Sequence, residues 1–228
     1  IYIHGDGMAA MLRFRGGRIS YRSSYAKTPR FLDELSAGRS LYGDYRNPFT
    51  DDPAVAGHDR GTANTNMIWH GGKLLALKED SRMFELDPDT LASIGYWDAD
   101  GTLTSPHISA HPKLDPETGE LITYGAQAKG IATRDLAYYI LNKDGQVVYE
   151  TWLEMPWAPF MHDFVVTENY SIFPVFPPTT IIEKLKQGLP YYLWDDTKPT
   201  MLGVMPRRGT QKDIRWFEGP PRYGFHFF

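Results

Sequence analysis

Short apolar or alternating stretches, broken by Gly, Pro, Asn and Asp, run through almost the whole chain. "AAMLRF" is followed by the turn "RGG" and then "RISYRSSYA"; "KLLALKE" and "MFELD" are joined by "DSR", with a further turn at "DPDT". "ELITYGA" follows "DPETG", "AYYIL" and "QVVYETWLE" are joined by "NKDG", and "DFVVT" and "SIFPVF" by "ENY". Asp-Gly and Asp-Pro turns at this spacing predict consecutive antiparallel hairpins. Helical pattern is scarce: "TPRFLDELSAG" and "TTIIEKLKQGL", the latter closed by Gly188, are the two candidates. The chain therefore reads as all-β. Hairpins in sequence order without an exact repeat suit a propeller, a sandwich or a barrel, and the pattern alone does not choose among them. No sharp change in composition marks a linker, so residues 1–228 read as one domain.

Composition narrows the function classes. A net charge of −4 leaves no polybasic footprint, which argues against nucleic acid as a partner. The absence of cysteine removes disulfides, thiolate metal sites and a cysteine nucleophile, and it fits a reducing, cytoplasmic setting. No apolar run approaches the roughly 20 residues of a membrane helix. The chain opens inside strand-like text, "IYIHGDGM", and closes on the apolar run "RYGFHFF". Exposed apolar strand ends are an aggregation liability. The expectation is an interior piece of a longer protein, truncated at both ends.

Seven histidines are the main candidate chemistry, and His107 and His111 stand four apart in "TSPHISAHPKLD". On a helix they would share a face, as in a zinc-protease pair. Pro112 disfavours helical geometry at His111, and in an extended segment the two Cα atoms lie ~13 Å apart, too far for one metal. One histidine per segment remains: His111 in "SAHPKLDP", His162 in "PFMHDFVVTENY" and His226 in "RYGFHFF". Each sits beside large apolar residues, where an imidazole needs a partner or a ligand. Distant single histidines meet at one point in a radial β-architecture such as a propeller. Spacing alone makes this a weak signal, since a lone histidine in a β-protein is more often a surface or hydrogen-bonded residue. Other motifs carry less. "GDGM" lacks the helix and lysine of a phosphate loop, and "DPDT" and "DPETG" lack the ligand series of a calcium loop.

Five segments taken in series are specific: "HGDGMAAMLRFRGGRISYRSSYAKT", "GTANTNMIWHGGKLLALKED", "SAHPKLDPETGELITYG", "PFMHDFVVTENYSIFPVFP" and "GVMPRRGTQKDIRWFEGP". In order and spacing they resemble the carotenoid cleavage oxygenase superfamily along nearly the whole chain. The resemblance implies a seven-bladed β-propeller capped by loops and helices, only part of which is present here. It also implies an Fe(II) on the axis, held by four histidines from separate blades. His111, His162 and His226 match three of them, and the fourth is expected beyond Phe228. Of the three acidic residues that orient the ligands, one matches Glu79; the other two are expected beyond Phe228. His107 has no role in the family. His4 stands where family members often have Asp, and Ile3 where close relatives often have an aromatic residue.

What the resemblance implies for chemistry is oxygen insertion across a C=C bond, with O2 as co-substrate and no organic cofactor. Within the family, "YRNPFTDDP" and "GTANTN" look like the lignostilbene-cleaving branch. There Tyr45 and Lys78 resemble an anchor for a 4-hydroxyphenyl ring, the lysine favouring the phenolate by its opposite charge. An ordinary strand-edge lysine is the plain alternative for Lys78. Lys78 shares a strand face with Ala76, however, which is odd for a dry core and reasonable for a cavity wall. The expected activity is cleavage of the central double bond of a phenolic stilbene to two aromatic aldehydes. The alternatives are carotenoid or apocarotenoid cleavage, and a propeller scaffold with a lost or zinc-filled site. A homodimeric assembly is left open.

Overall fold

A computed structural model of the chain describes residues 2–227. Its β-structure is a hairpin and three four-stranded antiparallel sheets. The hairpin pairs β1 (Met8–Arg15) with β2 (Arg18–Tyr25) in register, Met8 opposite Tyr25 and Arg15 opposite Arg18. Gly16 and Gly17, both with positive φ, supply the turn that the sequence predicts there.

The first sheet is β3 (Asn66–His70), β4 (Lys73–Leu77), β5 (Met83–Leu86) and β6 (Ser93–Trp97). The second is β7 (Lys113–Leu114), β8 (Leu121–Ala126), β9 (Asp135–Leu141) and β10 (Val147–Glu154). The third is β11 (Val165–Val166), β12 (Tyr170–Val175), β13 (Thr200–Pro206) and β14 (Arg215–Gly219). In each, the spatial order of strands equals the sequence order. Successive four-stranded meanders of this kind are propeller blades. Three blades and a hairpin are thus built from these residues.

The blades are held by their faces. Along β8 and β9 every residue is buried, so neither strand shows the alternation of a half-exposed sheet. The period of two instead divides the residues between two cores. Leu121, Ala137, Tyr139 and Leu141 pack with Leu75, Leu77, Met83 and Trp97 of the first sheet. Ile122, Tyr124, Leu136, Tyr138 and Ile140 pack with Phe164, Phe173, Val175 and Met205 of the third. The hairpin joins the first sheet through Ala9, Ala26, Ala76 and Phe84. The tyrosine hydroxyls carried into these cores are all bonded, Tyr139 to Ser105 and Thr104, Tyr138 to Ser171 and Arg207.

Both candidate helices form. α1 (Pro29–Ala37) is capped by the Thr28 side chain, which accepts from Phe31 N–H, and ends at Gly38 in the left-handed region. α2 (Ile182–Lys186) stops just before Gly188, whose φ is +75°.

Candidate metal centre

The chain positions its chemistry at one end of the blades. His111 lies two residues before β7, and His162 three before β11. Thr65 lies one before β3. All three line a cavity of about 760 Å³. The entrance to the first strand of each blade thus faces a common point.

Three imidazoles converge there. The ligand atoms of His111, His162 and His226 all lie within 4.8 Å of one another, and the Nε2 atoms of His111 and His162 are 2.7 Å apart. His111 and His162 are fixed through their neighbours. Ser109 Oγ accepts from His111 N–H at 3.0 Å, and the Tyr124 hydroxyl, buried between blades, donates to the Met161 carbonyl beside His162 at 2.8 Å. The Phe225 ring stacks on the His162 imidazole at 3.9 Å. His162 Nδ1 is 3.4 Å from Glu79 Oε1, which directs its Nε2 to the centre.

Three imidazoles this close would repel one another if protonated. Burial, and then the adjacent His162 ring, push the His111 imidazole down to about 4, leaving it neutral and able to offer a lone pair. Two imidazole nitrogens bound to one cation at ~2.1 Å, at a right angle, lie about 3 Å apart. Glu79, whose Oε1 faces His162, has its Oε2 buried with no hydrogen-bond partner. The donor set and this orphaned oxygen fit a divalent transition-metal ion.

Glu79 connects the centre to a second group of residues. Burial alone would raise its pKa, but the hydrogen bond with His162 and the Lys78 ammonium outweigh that and hold it well below the usual carboxylate range. The Tyr45 hydroxyl donates to Glu79 Oε1 at 2.7 Å. Burial and the Glu79 charge push the Tyr45 phenol well above its ordinary value, so it keeps its proton. Lys78 is 4% exposed, just past the end of β4, and its Nζ lies 4.7 Å from the centroid of the Tyr45 ring. Lys78, Glu79 and Tyr45 line the same cavity as the three histidines.

The structure adds contacts that the sequence did not reveal. Tyr45 N–H donates to His4 Nε2 at 3.0 Å. His4, whose pKa is lowered by burial and by Arg30, is neutral and can accept that bond. Phe160 stacks on Tyr192 at 4.0 Å, and both line the cavity. Behind them Arg46 donates to the Tyr192 hydroxyl at 3.2 Å and lies 4.9 Å from the Tyr191 ring centroid. His107 stands apart from the metal group, 3.5 Å from Arg46. These roles have no local motif; the Arg46 backbone even adopts φ +55°, which no spacing rule would suggest.

A family model described as RPE65, retinal pigment epithelial membrane protein, matches residues 2–228. The chain is 51% identical to isoeugenol monooxygenase of Pseudomonas putida over 225 residues, 99% of this chain and 47% of that protein. It is 45% identical to lignostilbene-alpha,beta-dioxygenase isozyme III of Sphingomonas paucimobilis, covering 96% of this chain and 45% of the relative. The crystal structure of Pseudomonas brassicacearum lignostilbene dioxygenase superposes with a TM-score of 0.93 at 44% identity, over 97% of this chain and 46% of that one. The chain spans about half the length of the relatives it matches. Among the described residues no helix is long and apolar enough to cross a membrane. Its sequence match, its blades and its converging histidines agree: the chain belongs to the RPE65 family, the carotenoid cleavage oxygenases.

Proposed function

We propose that the protein containing this chain is an Fe(II)-dependent oxygenase that cleaves a C=C bond conjugated to a 4-hydroxyphenyl ring. Phenolic stilbenes are the substrate class. The observation that carries this reading is the placement of Lys78: a buried ammonium beside Tyr45, in the wall of the cavity that holds the three histidines. Glu79 and the Tyr45 ring offset the cost of burying this ammonium, which leaves it in the cavity wall where a phenol oxygen can meet it. The names of the relatives point the same way. Lignostilbene and isoeugenol both carry a phenol conjugated to an alkene, and differ in what stands on its far side.

His111, His162 and His226 would hold the iron, with a fourth histidine from outside these residues. When bound, Fe(II) supplies the redox chemistry by which the two atoms of O2 end up on the two alkene carbons, giving two carbonyl products. The remaining work falls to the chain. Lys78 binds the phenol oxygen and favours its phenolate, which raises electron density along the conjugated alkene. Tyr45 positions the ring. Its own proton is committed to Glu79, so its oxygen can accept from a phenol O–H; the phenolate that Lys78 favours forms when that proton is lost to water. Glu79 holds the Nδ1–H of His162 and so its tautomer. Phe160 and Tyr192 offer stacked aromatic faces that exclude water from the alkene.

Paired substrates test this directly. A 4-hydroxystilbene should be cleaved at least about tenfold faster than its 4-methoxy ether, the loss expected for removing a hydrogen bond to a charged group. Equal rates would sink the phenol anchor.

A further inference from the structure

The centre depends on a segment, residues 223–227, that belongs to none of the strands described here. Two charged side chains hold the residue that follows His226. Asp163, next to His162, is 3% exposed, and its Oδ2 accepts from the Phe227 N–H at 2.8 Å. Its Oδ1 accepts from Phe164 N–H at 2.8 Å and from Lys113 Nζ at 2.7 Å. Lys113, two residues after His111, also donates to the Phe227 carbonyl at 3.2 Å. Both the N–H and the C=O of the residue after His226 are thus held by side chains borne on the other two ligand segments.

We infer that Lys113 and Asp163 form a clamp that positions His226 for the metal. Neither residue lines the cavity, so they are positioning residues, acting on the ligand set through the Phe227 peptide. The arrangement explains why a cation and an anion both stand this near the centre. Their charges satisfy each other, Asp163 is fully bonded, and no net charge is added beside the metal. It also makes the three ligand segments interdependent, since loosening the clamp frees one ligand and removes a tie between the other two.

The inference rests on reading the three histidines as a metal centre, and its test needs no substrate. Co(II) is titrated into the metal-free full chain and followed by its visible absorption, for the wild type and for Lys113→Met, Asp163→Asn and Lys113→Arg. Lys73→Met, which breaks the Lys73–Glu85 ion pair away from the cavity, serves as a control. Lys113→Met and Asp163→Asn should weaken Co(II) binding about 10–100-fold. Lys113→Arg, which keeps the positive charge and can donate to both acceptors, should stay within about threefold of wild type. Lys73→Met should leave binding unchanged. In a His226→Ala background, Lys113→Met should have a much smaller effect on affinity, because only the Lys113–Asp163 tie between the other two ligand segments is left to lose. Wild-type affinity in Lys113→Met would overturn the clamp, as would an undiminished Lys113→Met effect without His226. Should Asp163→Asn fail to fold, the more exposed Lys113→Met carries the test alone. A wild type that binds no Co(II) overturns the clamp and the metal reading together. One that binds Co(II) with the expected variant pattern but cleaves no phenolic alkene removes the proposed reaction and upholds the clamp.

Discussion

The Tyr45 hydroxyl donates its hydrogen bond to Glu79, and the same Glu79 oxygen faces Nδ1 of His162. A residue of the proposed phenol anchor and a residue of the proposed metal centre therefore share one carboxylate oxygen. Tyr45→Phe removes a donor from an ionised, buried carboxylate. It should lower kcat/KM for a phenolic alkene by about 10–100-fold, the range for a hydrogen bond to a charged group. Cleavage of a substrate without a phenol should fall less, through the lost Glu79 hydrogen bond alone. Steady-state kinetics with both substrates check it; equal losses on both would mean that Tyr45 acts only through the metal centre.

Lys78→Met keeps the length of the side chain and removes its charge. Turnover of a 4-hydroxystilbene should fall by at least about tenfold and recover partly as pH rises toward the phenol's own pKa near 10, since the phenolate then forms without help. Cleavage of an apocarotenal, if the protein has any, should be largely unaffected. The pH–rate profiles of the two proteins read this out. A variant that loses both reactions equally would place Lys78 in the fold and not in the anchor.

Glu79→Gln removes the charge that accepts from His162 and Tyr45. Metal affinity should drop about 10–100-fold, while the Lys113–Asp163–Phe227 contacts stay intact. Isothermal titration with a divalent metal checks the first part. Unchanged affinity would show that the His162 tautomer is set elsewhere.

The metal-free protein should lose stability on mild acidification. Burial and the Arg46 guanidinium push His107 down to about 3, against about 6.5 in the unfolded chain. Between those values the unfolded state binds more protons than the native one, so stability rises with pH through that window. It is fully present above about 6.5 and is lost progressively as pH falls toward 3. The slope from this one proton is about 1.4 kcal/mol per pH unit. Denaturant midpoints at pH 7 and pH 5 measure it, and in His107→Gln the difference should shrink.

Much of this was legible in the sequence because the signals are local. Gly16-Gly17 can only turn, Asp-Gly at 144–145 closes β9 onto β10, and Thr28 and Gly38 bracket α1. Strands β3, β6, β7, β13 and β14 are not among the segments that the hairpin pattern predicts. β13 holds a glycine in its middle, which reads as a break; in the fold Gly203 lies under Trp216, and a Cβ there would sit 2.7 Å from the indole ring. The prolines around His111 correctly separated it from His107, and the two now stand in different environments. The meeting of His111, His162 and His226 could not come from spacing, since it depends on how blades are arrayed. The family resemblance supplied it. What neither route offered were the long-range contacts of ordinary-looking residues: Arg46 on Tyr192, His4 on the Tyr45 amide, and Lys113 with Asp163 on Phe227.

The most direct test joins the metal centre to the phenol anchor in one reaction. The full-length protein is loaded with Fe(II) and given a 4-hydroxystilbene under O2, and its products are identified by mass spectrometry, with His162→Ala alongside. Two aromatic aldehydes from the wild type, and none from the variant, are the result expected. No aldehyde from the stilbene, with cleavage of an apocarotenal in its place, would contradict the account.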